Sequence, residues 1–457
     1  MGIETALVAL STFLGQRLSR SKPDLQQHGG SETHFPMTPP DAVAYPRSTE
    51  EVAEIVKICA AHDCPVIGYG AGTSLEGQTL PVNGGVTVDF RDMAAVLHLG
   101  AEDMDVTVQP GITREALNEE LRATGLMFPV DPGANASIGG MASTRASGTT
   151  AVRYGTMRDN VLGLEVVLAD GRVIQTGTRA RKSSAGYDLT GLFVGAEGTL
   201  GLITALTLRL HGQPEAVSAA VCAFDDMATA VEAVQTTIQM GVPMARIEFL
   251  DAASVAAVNA HSNTSLPLYP HLLVEFHGSE AGVKEQAEVF GDVVTDTGGK
   301  GFAWADKPED RSALWTMRHH AYWAILQSRP DCTAIVTDIC VPISRLAEAV
   351  EDTRADIAAS PITGPILGHV GDGNFHAILL FDPAKEDEVR AAKDLSHRLV
   401  ERALALGGTA TGEHGIGLGK KAYMEAEHGD AWDVMGDIKQ ALDPKNLMNP
   451  GKLLRDG

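Results

Sequence analysis

Gly68-Tyr69-Gly70-Ala71-Gly72-Thr73-Ser74-Leu75-Glu76-Gly77 is the stretch on which the reading of this chain turns. It follows the short apolar run Pro65 to Gly68, which reads as a strand. Glycine at this density lets backbone N–H groups approach an anion as no bulkier residue would, and a pyrophosphate suits such a loop. The dinucleotide fingerprint of parallel α/β folds is absent, because Thr73 stands three positions after Gly70 and no long capped helix opens there. Taken alone, the loop reads sooner as a glycine-rich surface hairpin.

Two further stretches change that balance. One is Pro129-Val130-Asp131-Pro132-Gly133-Ala134-Asn135-Ala136-Ser137-Ile138-Gly139-Gly140, continued by Ala142, Ser143, Ala146, Ser147 and Gly148. The other, Gly195-Ala196-Glu197-Gly198-Thr199-Leu200-Gly201-Leu202-Ile203-Thr204, leads small residues into an apolar strand. Together the three can line one elongated ligand. Around them short apolar runs predict strands at Val86 to Phe90, Val96 to Leu99, Val106 to Val108, Val161 to Ala169, Arg172 to Thr176 and Leu202 to Leu210. A capped helix is predicted from Ser48 or Thr49, and another from Arg114 to Thr124. After Gly212 and Pro214 longer helices alternate with strands, at Met227 to Gln239, Leu273 to His277, Val283 to Val294 and Ile343 to Ala358, which predicts a second domain.

These segments, with Val108-Gln109-Pro110-Gly111 and Tyr154-Gly155, resemble the FAD domain of the vanillyl-alcohol oxidase/p-cresol methylhydroxylase superfamily over residues 45 to 212. The resemblance implies an α+β chain in four parts. An N-terminal helix and extended segment (1–44) precedes a two-part FAD-binding domain (45–212). An α/β substrate or cap domain with an antiparallel sheet and a metal site (213–442) follows, and a C-terminal segment (443–457) returns to the FAD domain. By the same resemblance Gly68, Gly70, Ala71, Gly72, Thr73 and Ser74 hold the pyrophosphate. Pro132, Gly133, Ser137, Gly139, Gly140, Ser143, Gly148, Tyr154, Glu197, Gly198, Ile203 and Asn449 are implied to contact the remainder of the cofactor. Members that bind flavin covalently usually carry a histidine in the pyrophosphate loop; Thr73 stands there instead, so non-covalent FAD is implied.

Gly368-His369-Val370-Gly371-Asp372-Gly373-Asn374-Phe375-His376 puts two imidazoles seven residues apart about a glycine turn, and Glu413-His414 follows in Thr411-Gly412-Glu413-His414-Gly415-Ile416-Gly417. Two histidines and a carboxylate suit Zn²⁺, Mn²⁺ and Fe²⁺ alike by ligand type, with zinc favoured. Isolated histidines are more often structural, but these two motifs resemble the carboxy-terminal motifs of D-lactate, D-2-hydroxyglutarate and glycolate dehydrogenases. That resemblance implies His369, His376 and Glu413 as metal ligands and His414 as the general base. It also implies Arg318, in Leu314-Trp315-Thr316-Met317-Arg318-His319-His320, as the binder of the substrate carboxylate. Thr337-Asp338-Ile339-Cys340-Val341-Pro342-Ile343-Ser344 and Met157-Arg158-Asp159-Asn160 resemble the D-lactate members most.

The expected activity is therefore FAD- and metal-dependent oxidation of a small D-2-hydroxy acid, D-lactate first, by hydride transfer to flavin N5. Electrons would pass to a quinone, a cytochrome or an electron-transfer flavoprotein. A 2-hydroxyglutarate or glycolate dehydrogenase is the nearest alternative; a flavin-dependent transferase and a non-catalytic electron relay stand further off.

Composition bounds the partners. The excess of 59 acidic over 36 basic residues, a formal charge of -23, repels phosphate backbones and excludes nucleic acid as an expected partner. Five cysteines without CxxC spacing predict reduced thiols and no iron–sulfur cluster in this chain. No apolar run reaches the length of a spanning helix, so the expected setting is cytoplasmic, with a peripheral place at the inner membrane and a homodimer both left open.

Overall fold

Ser48 has an extended backbone, with φ of -146°, and its hydroxyl accepts from the Glu51 N–H at 3.3 Å, which starts the helix Thr49–Ala61 where the sequence predicts it. A cap of this kind contributes about 1 kcal/mol. The inward face of that helix buries Val52, Ile55, Val56 and Cys59 in one core with the N-terminal helix Ile3–Leu14 and with a four-stranded sheet. The strands run in the order Leu18–Ser19, Ala42–Ala44, Val86–Asp89, Val66–Tyr69, the last three mutually parallel.

The end of the chain adds itself beside Val66–Tyr69. The Asn449 N–H donates to the Val66 carbonyl at 2.9 Å, and the Val66 N–H to the Leu447 carbonyl at 2.8 Å. Buried Lys439 holds this return: its Nζ donates to the carbonyls of Thr199 and Met448, each at 2.7 Å, and to Asp443 at 2.6 Å. Burial pushes the Lys439 pKa down while Asp443 pulls the other way, as expected for a buried ammonium that stays paired. Asp443 in turn accepts from the Leu447 and Met448 N–H groups, so the Asp-Pro-Lys-Asn turn is held by its first residue.

A five-stranded antiparallel sheet follows the order Val96–Gly100, Asp105–Val108, Leu202–Arg209, Val161–Val167, Val173–Gly177. Its core takes in Val106, Leu164, Leu206 and Leu208 together with Ile138, Met141 and Ala142 of the short helix Ile138–Thr144.

The largest sheet among the described residues has eight strands, all antiparallel. Seven lie in the order Lys300–Ala305, Ala216–Ala223, His271–Gly278, Met244–Leu250, Ile366–His369, Asn374–Phe381, Thr333–Val336, and Ile339–Cys340 also pairs with Asn374–Phe381. Its two faces follow from strand alternation. Leu250, Leu273, Leu367, Ile378 and Leu380 point to one face, covered by the helices Ala252–Ser262, Pro308–His319 and Ala321–Gln327. Phe276 points to the other, against Phe290 of the helix Glu280–Asp296.

This computed structural model describes residues 2–31, 33–262, 264–305 and 307–455. They divide into two compact units, one of Met1–Ser147, Gly155–Gln213 and Glu413–Gly457, the other of Gly148–Tyr154 and Pro214–Gly412. Mixed helix and antiparallel sheet is the α+β class expected. The boundaries differ from the expected ones in three places. Residues 1–44 share the first unit's core, because Leu7, Leu10 and Ala44 pack with Val66 and Val86. The chain rejoins that unit at Glu413, well before Asp443, since the Ile416 and Gly417 N–H groups donate to Glu197. Gly148–Tyr154 belongs to the second unit, where Tyr154 bonds His277. The helix predicted from Ile343 begins with a single tight turn, Ile343–Arg345, and is α-helical over Leu346–Ala358.

Candidate active site

In the first unit the separated glycine-rich segments meet. Gly68 ends in the strand Val66–Tyr69, and the loop Gly70, Ala71, Gly72, Thr73, Ser74 follows it. The Ala71 N–H donates to the Ser137 hydroxyl at 3.2 Å, and a Cβ on Gly70 would collide with that same oxygen, so glycine is required there by close approach. Pro132 and Gly133 lead to Ser137, the residue before the helix that carries Gly139, Gly140 and Ser143. The Glu197 N–H donates to the Ser143 carbonyl at 2.9 Å, beside Gly198 and ahead of Ile203 in its strand. Asn449 closes the circle, donating from Nδ2 to the carbonyls of Gln78 at 3.0 Å and Glu197 at 2.7 Å. Gly148 and Tyr154 of the predicted cofactor set stand in the other unit.

These residues fit a pyrophosphate. The Ser74 hydroxyl is buried and has no hydrogen-bond partner among the described residues, so a donor in the middle of the predicted anion loop remains uncommitted. Glu197, by contrast, acts as an anchor for its own unit. Its carboxylate accepts from the Ile416 N–H at 2.6 Å and the Gly417 N–H at 2.9 Å, and full burial raises its pKa to about 7 against those bonds. The Gln78 amide donates to the His414 carbonyl at 2.7 Å, so the backbone of the predicted base is held from the pyrophosphate-loop side of the same unit. His414 Nδ1 lies 3.8 Å from Glu76 Oε1, which also faces Lys420 Nζ at 3.3 Å.

In the second unit the two predicted histidines share one sheet face. Leu250 stands opposite Leu367, and Leu367 opposite His376; alternation therefore puts Glu248, His369, Asn374 and His376 on the face covered by the helix of Arg318. The rings of His369 and His376 are 5.6 Å apart. His369 donates from Nδ1 to Glu248 Oε1 at 2.6 Å, and His376 from Nδ1 to the Thr337 carbonyl at 2.9 Å. With Nδ1 of each ring committed as a donor, a metal would be bound through Nε2.

Glu248 joins the two predicted functions, because its other oxygen lies 2.6 Å from Arg318 Nη2. Burial alone would raise the Glu248 pKa, but the charges of His369 and Arg318 outweigh it and hold the carboxyl below its ordinary value. Arg318 Nε is buried with no hydrogen-bond partner among the described residues.

Sequence reasoning passed over Glu248 and left Asp338 inside a longer quoted string. Asp338 accepts from Asn374 Nδ2 at 2.9 Å and from the Thr411 hydroxyl at 2.6 Å. Asp338 and His376, both of the second unit, each offer a metal-ligating atom, the two within 4.8 Å of one another. Alternation was the available signal for Glu248: Arg246-Ile247-Glu248-Phe249-Leu250 sets charges at every second place in an apolar strand, which calls for buried partners.

The model of the FAD-linked oxidases, C-terminal domain, matches residues 213–453, and that of the FAD binding domain matches residues 40–177. The chain belongs to the FAD-linked oxidases. Over 433 residues it is 53% identical to a protein of Danio rerio named probable D-lactate dehydrogenase, mitochondrial, with 94% of this chain and 87% of that one covered. Over 448 residues it is 45% identical to the mitochondrial D-lactate dehydrogenase [cytochrome] of Arabidopsis thaliana, covering 97% and 79%. The chain is an FAD-dependent oxidoreductase of the D-lactate (cytochrome-type)/D-2-hydroxy-acid dehydrogenase family. In fold it is similar to p-cresol methylhydroxylase with substrate bound, at a TM-score of 0.80 and 17% identity over 98% of this chain and 96% of that one. The mitochondrial relatives overturn the expected cytoplasmic setting. Cysteine spacing and net acidity bear on oxidation and on charge, and neither encodes an address. Among the described residues no helix is long and apolar enough to cross a membrane.

Proposed function

We propose that this chain oxidises D-lactate to pyruvate in a mitochondrial setting and passes the electrons to a cytochrome. The relatives' names support the substrate and acceptor. The observation that carries the chemistry is Arg318, held by Glu248 through Nη2 while its buried Nε has no partner among the described residues. Such a guanidinium is oriented yet still has a donor to give a substrate carboxylate. Ser74 and the Gly70–Gly72 backbone would hold the pyrophosphate of non-covalent FAD. His369, His376 and Glu413 would hold a divalent cation, zinc first, with Asp338 as a further donor. When bound, FAD supplies the two-electron acceptor and the cation a Lewis acid at the substrate hydroxyl. His414 takes the hydroxyl proton, and Arg318 fixes which face of C2 is presented.

Anaerobic stopped-flow flavin absorbance on metal-assayed protein tests this, with D-lactate, L-lactate, D-2-hydroxyglutarate and glycolate mixed separately. Fast bleaching by D-lactate is expected. Bleaching chiefly by another acid reassigns the substrate, and none with any acid ends the dehydrogenase reading.

A further inference from the structure

The sheet face that carries Arg318's partner carries a second arginine. Arg246 and Glu248 are alternate residues of the strand Met244–Leu250, so their side chains emerge on the same face about 7 Å apart. The Arg246 guanidinium lies 4.7 Å from the centre of the Trp315 ring, and Trp315 is one helical turn from Arg318. Arg246 thus shares a strand face with Glu248, the partner of Arg318, and stacks on the helix that carries Arg318.

They are not equivalent. Arg246 Nη1 is 3.4 Å from Glu275 Oε1, directly across the strand pair. Glu275 is itself fixed: His277 donates from Nε2 to the same Oε1 at 2.8 Å, and the Tyr154 hydroxyl donates to His277 Nδ1 at 2.7 Å. The chain Tyr154, His277, Glu275 is buried or half-buried throughout, so the carboxylate is held in one place beside Arg246.

We infer that Glu275 is a specificity-determining residue, an internal counter-anion that occupies Arg246 and sets the site against substrates with a second carboxylate. The inference rests on the reading of Arg318 as the carboxylate anchor. A 2-hydroxy acid held there by C1 directs its side chain along the same face. A methyl or other short apolar group meets the Trp315 ring and a neutral Arg246–Glu275 pair, while a distal carboxylate would have to displace Glu275 or lie against it. Discrimination of this kind comes from the repulsive element as much as from any contact with the preferred substrate.

The test compares kcat/KM for D-2-hydroxyglutarate and D-lactate in the FAD-loaded wild-type protein, in Glu275→Gln, and in Glu275→Gln combined with Arg246→Met. Glu275→Gln keeps shape and removes the charge, and the glutarate-to-lactate ratio is expected to rise about tenfold or more, the range of one charge-assisted hydrogen bond. Adding Arg246→Met is expected to erase that gain, which a purely structural role of Glu275 would not produce. A ratio unchanged in a Glu275→Gln protein that still holds FAD overturns the inference. If Glu275→Gln fails to hold FAD, Arg246→Met alone decides: it leaves the Glu275 charge without its cation, and the ratio must fall below the wild-type value, an unchanged ratio overturning the inference. Wild-type protein inert toward D-lactate would instead remove the reading on which the inference rests.

Discussion

Glu248 places its two oxygens on two different side chains, Oε1 at 2.6 Å from His369 Nδ1 and Oε2 at 2.6 Å from Arg318 Nη2, with no exposure of its own. A carboxylate so placed couples the orientation of a candidate metal ligand to that of a candidate substrate anchor. Glu248→Gln is expected to weaken metal binding about 10–100-fold, the usual effect of losing the partner behind a ligating imidazole. Metal content after dialysis against graded chelator reads this directly. Glu248→Ala is expected to destabilise the fold by about 3–5 kcal/mol, because Arg318 is left buried without its counter-charge.

Arg318→Lys retains the charge and loses the planar fork. We expect kcat/KM for D-lactate to fall about 10–100-fold, the range for one or two charged hydrogen bonds, mainly through KM. A fall confined to kcat would deny Arg318 a part in binding.

Ser74→Ala separates cofactor binding from folding. The hydroxyl has no partner among the described residues, so the thermal midpoint of the FAD-free protein should move by less than about 0.5 kcal/mol equivalent. The FAD dissociation constant, followed by flavin fluorescence, should rise about three- to tenfold. An unchanged constant would remove Ser74 from the pyrophosphate site.

Glu197 gives the pH dependence a sign. Its folded pKa, about 7, lies above the ordinary 4.5, so the native state binds its proton more tightly than the unfolded chain does. The stability it contributes is full below about 4.5 and is lost as pH rises toward 7; the difference is roughly 3 kcal/mol in all. Thermal midpoints of the FAD-loaded protein from pH 5 to 8 should show this decline, and Glu197→Gln should flatten it. A slope that survives the substitution assigns the decline to another group.

Local features of the chain were legible wherever a short-range rule governs them. The cap at Ser48, the helix Met227–Gln239 and the strand Leu202–Arg209 stand within a residue or two of where spacing puts them. The hairpin of His369 and His376 is of the same kind, since a tight turn over Val370–Gly373 fixes the register that sets both rings on one face. Boundaries in contact space were not legible: Gly148–Tyr154 and Glu413–Leu442 belong with segments far away in sequence, and no local signal marks such membership.

The sequence by itself determined the alternation of strands and helices, the glycine loop that only small residues could build, and the family to which both motifs point. Tertiary structure alone decided which charges meet. Glu248 reaches His369, 121 residues away, because the strand order places Met244–Leu250 beside Ile366–His369. Arg246 meets Glu275 for the same reason, across Met244–Leu250 and His271–Gly278. Pairing between distant strands is settled by how a whole sheet buries its faces, and a charge in an apolar strand announces only that it needs a partner, not which one.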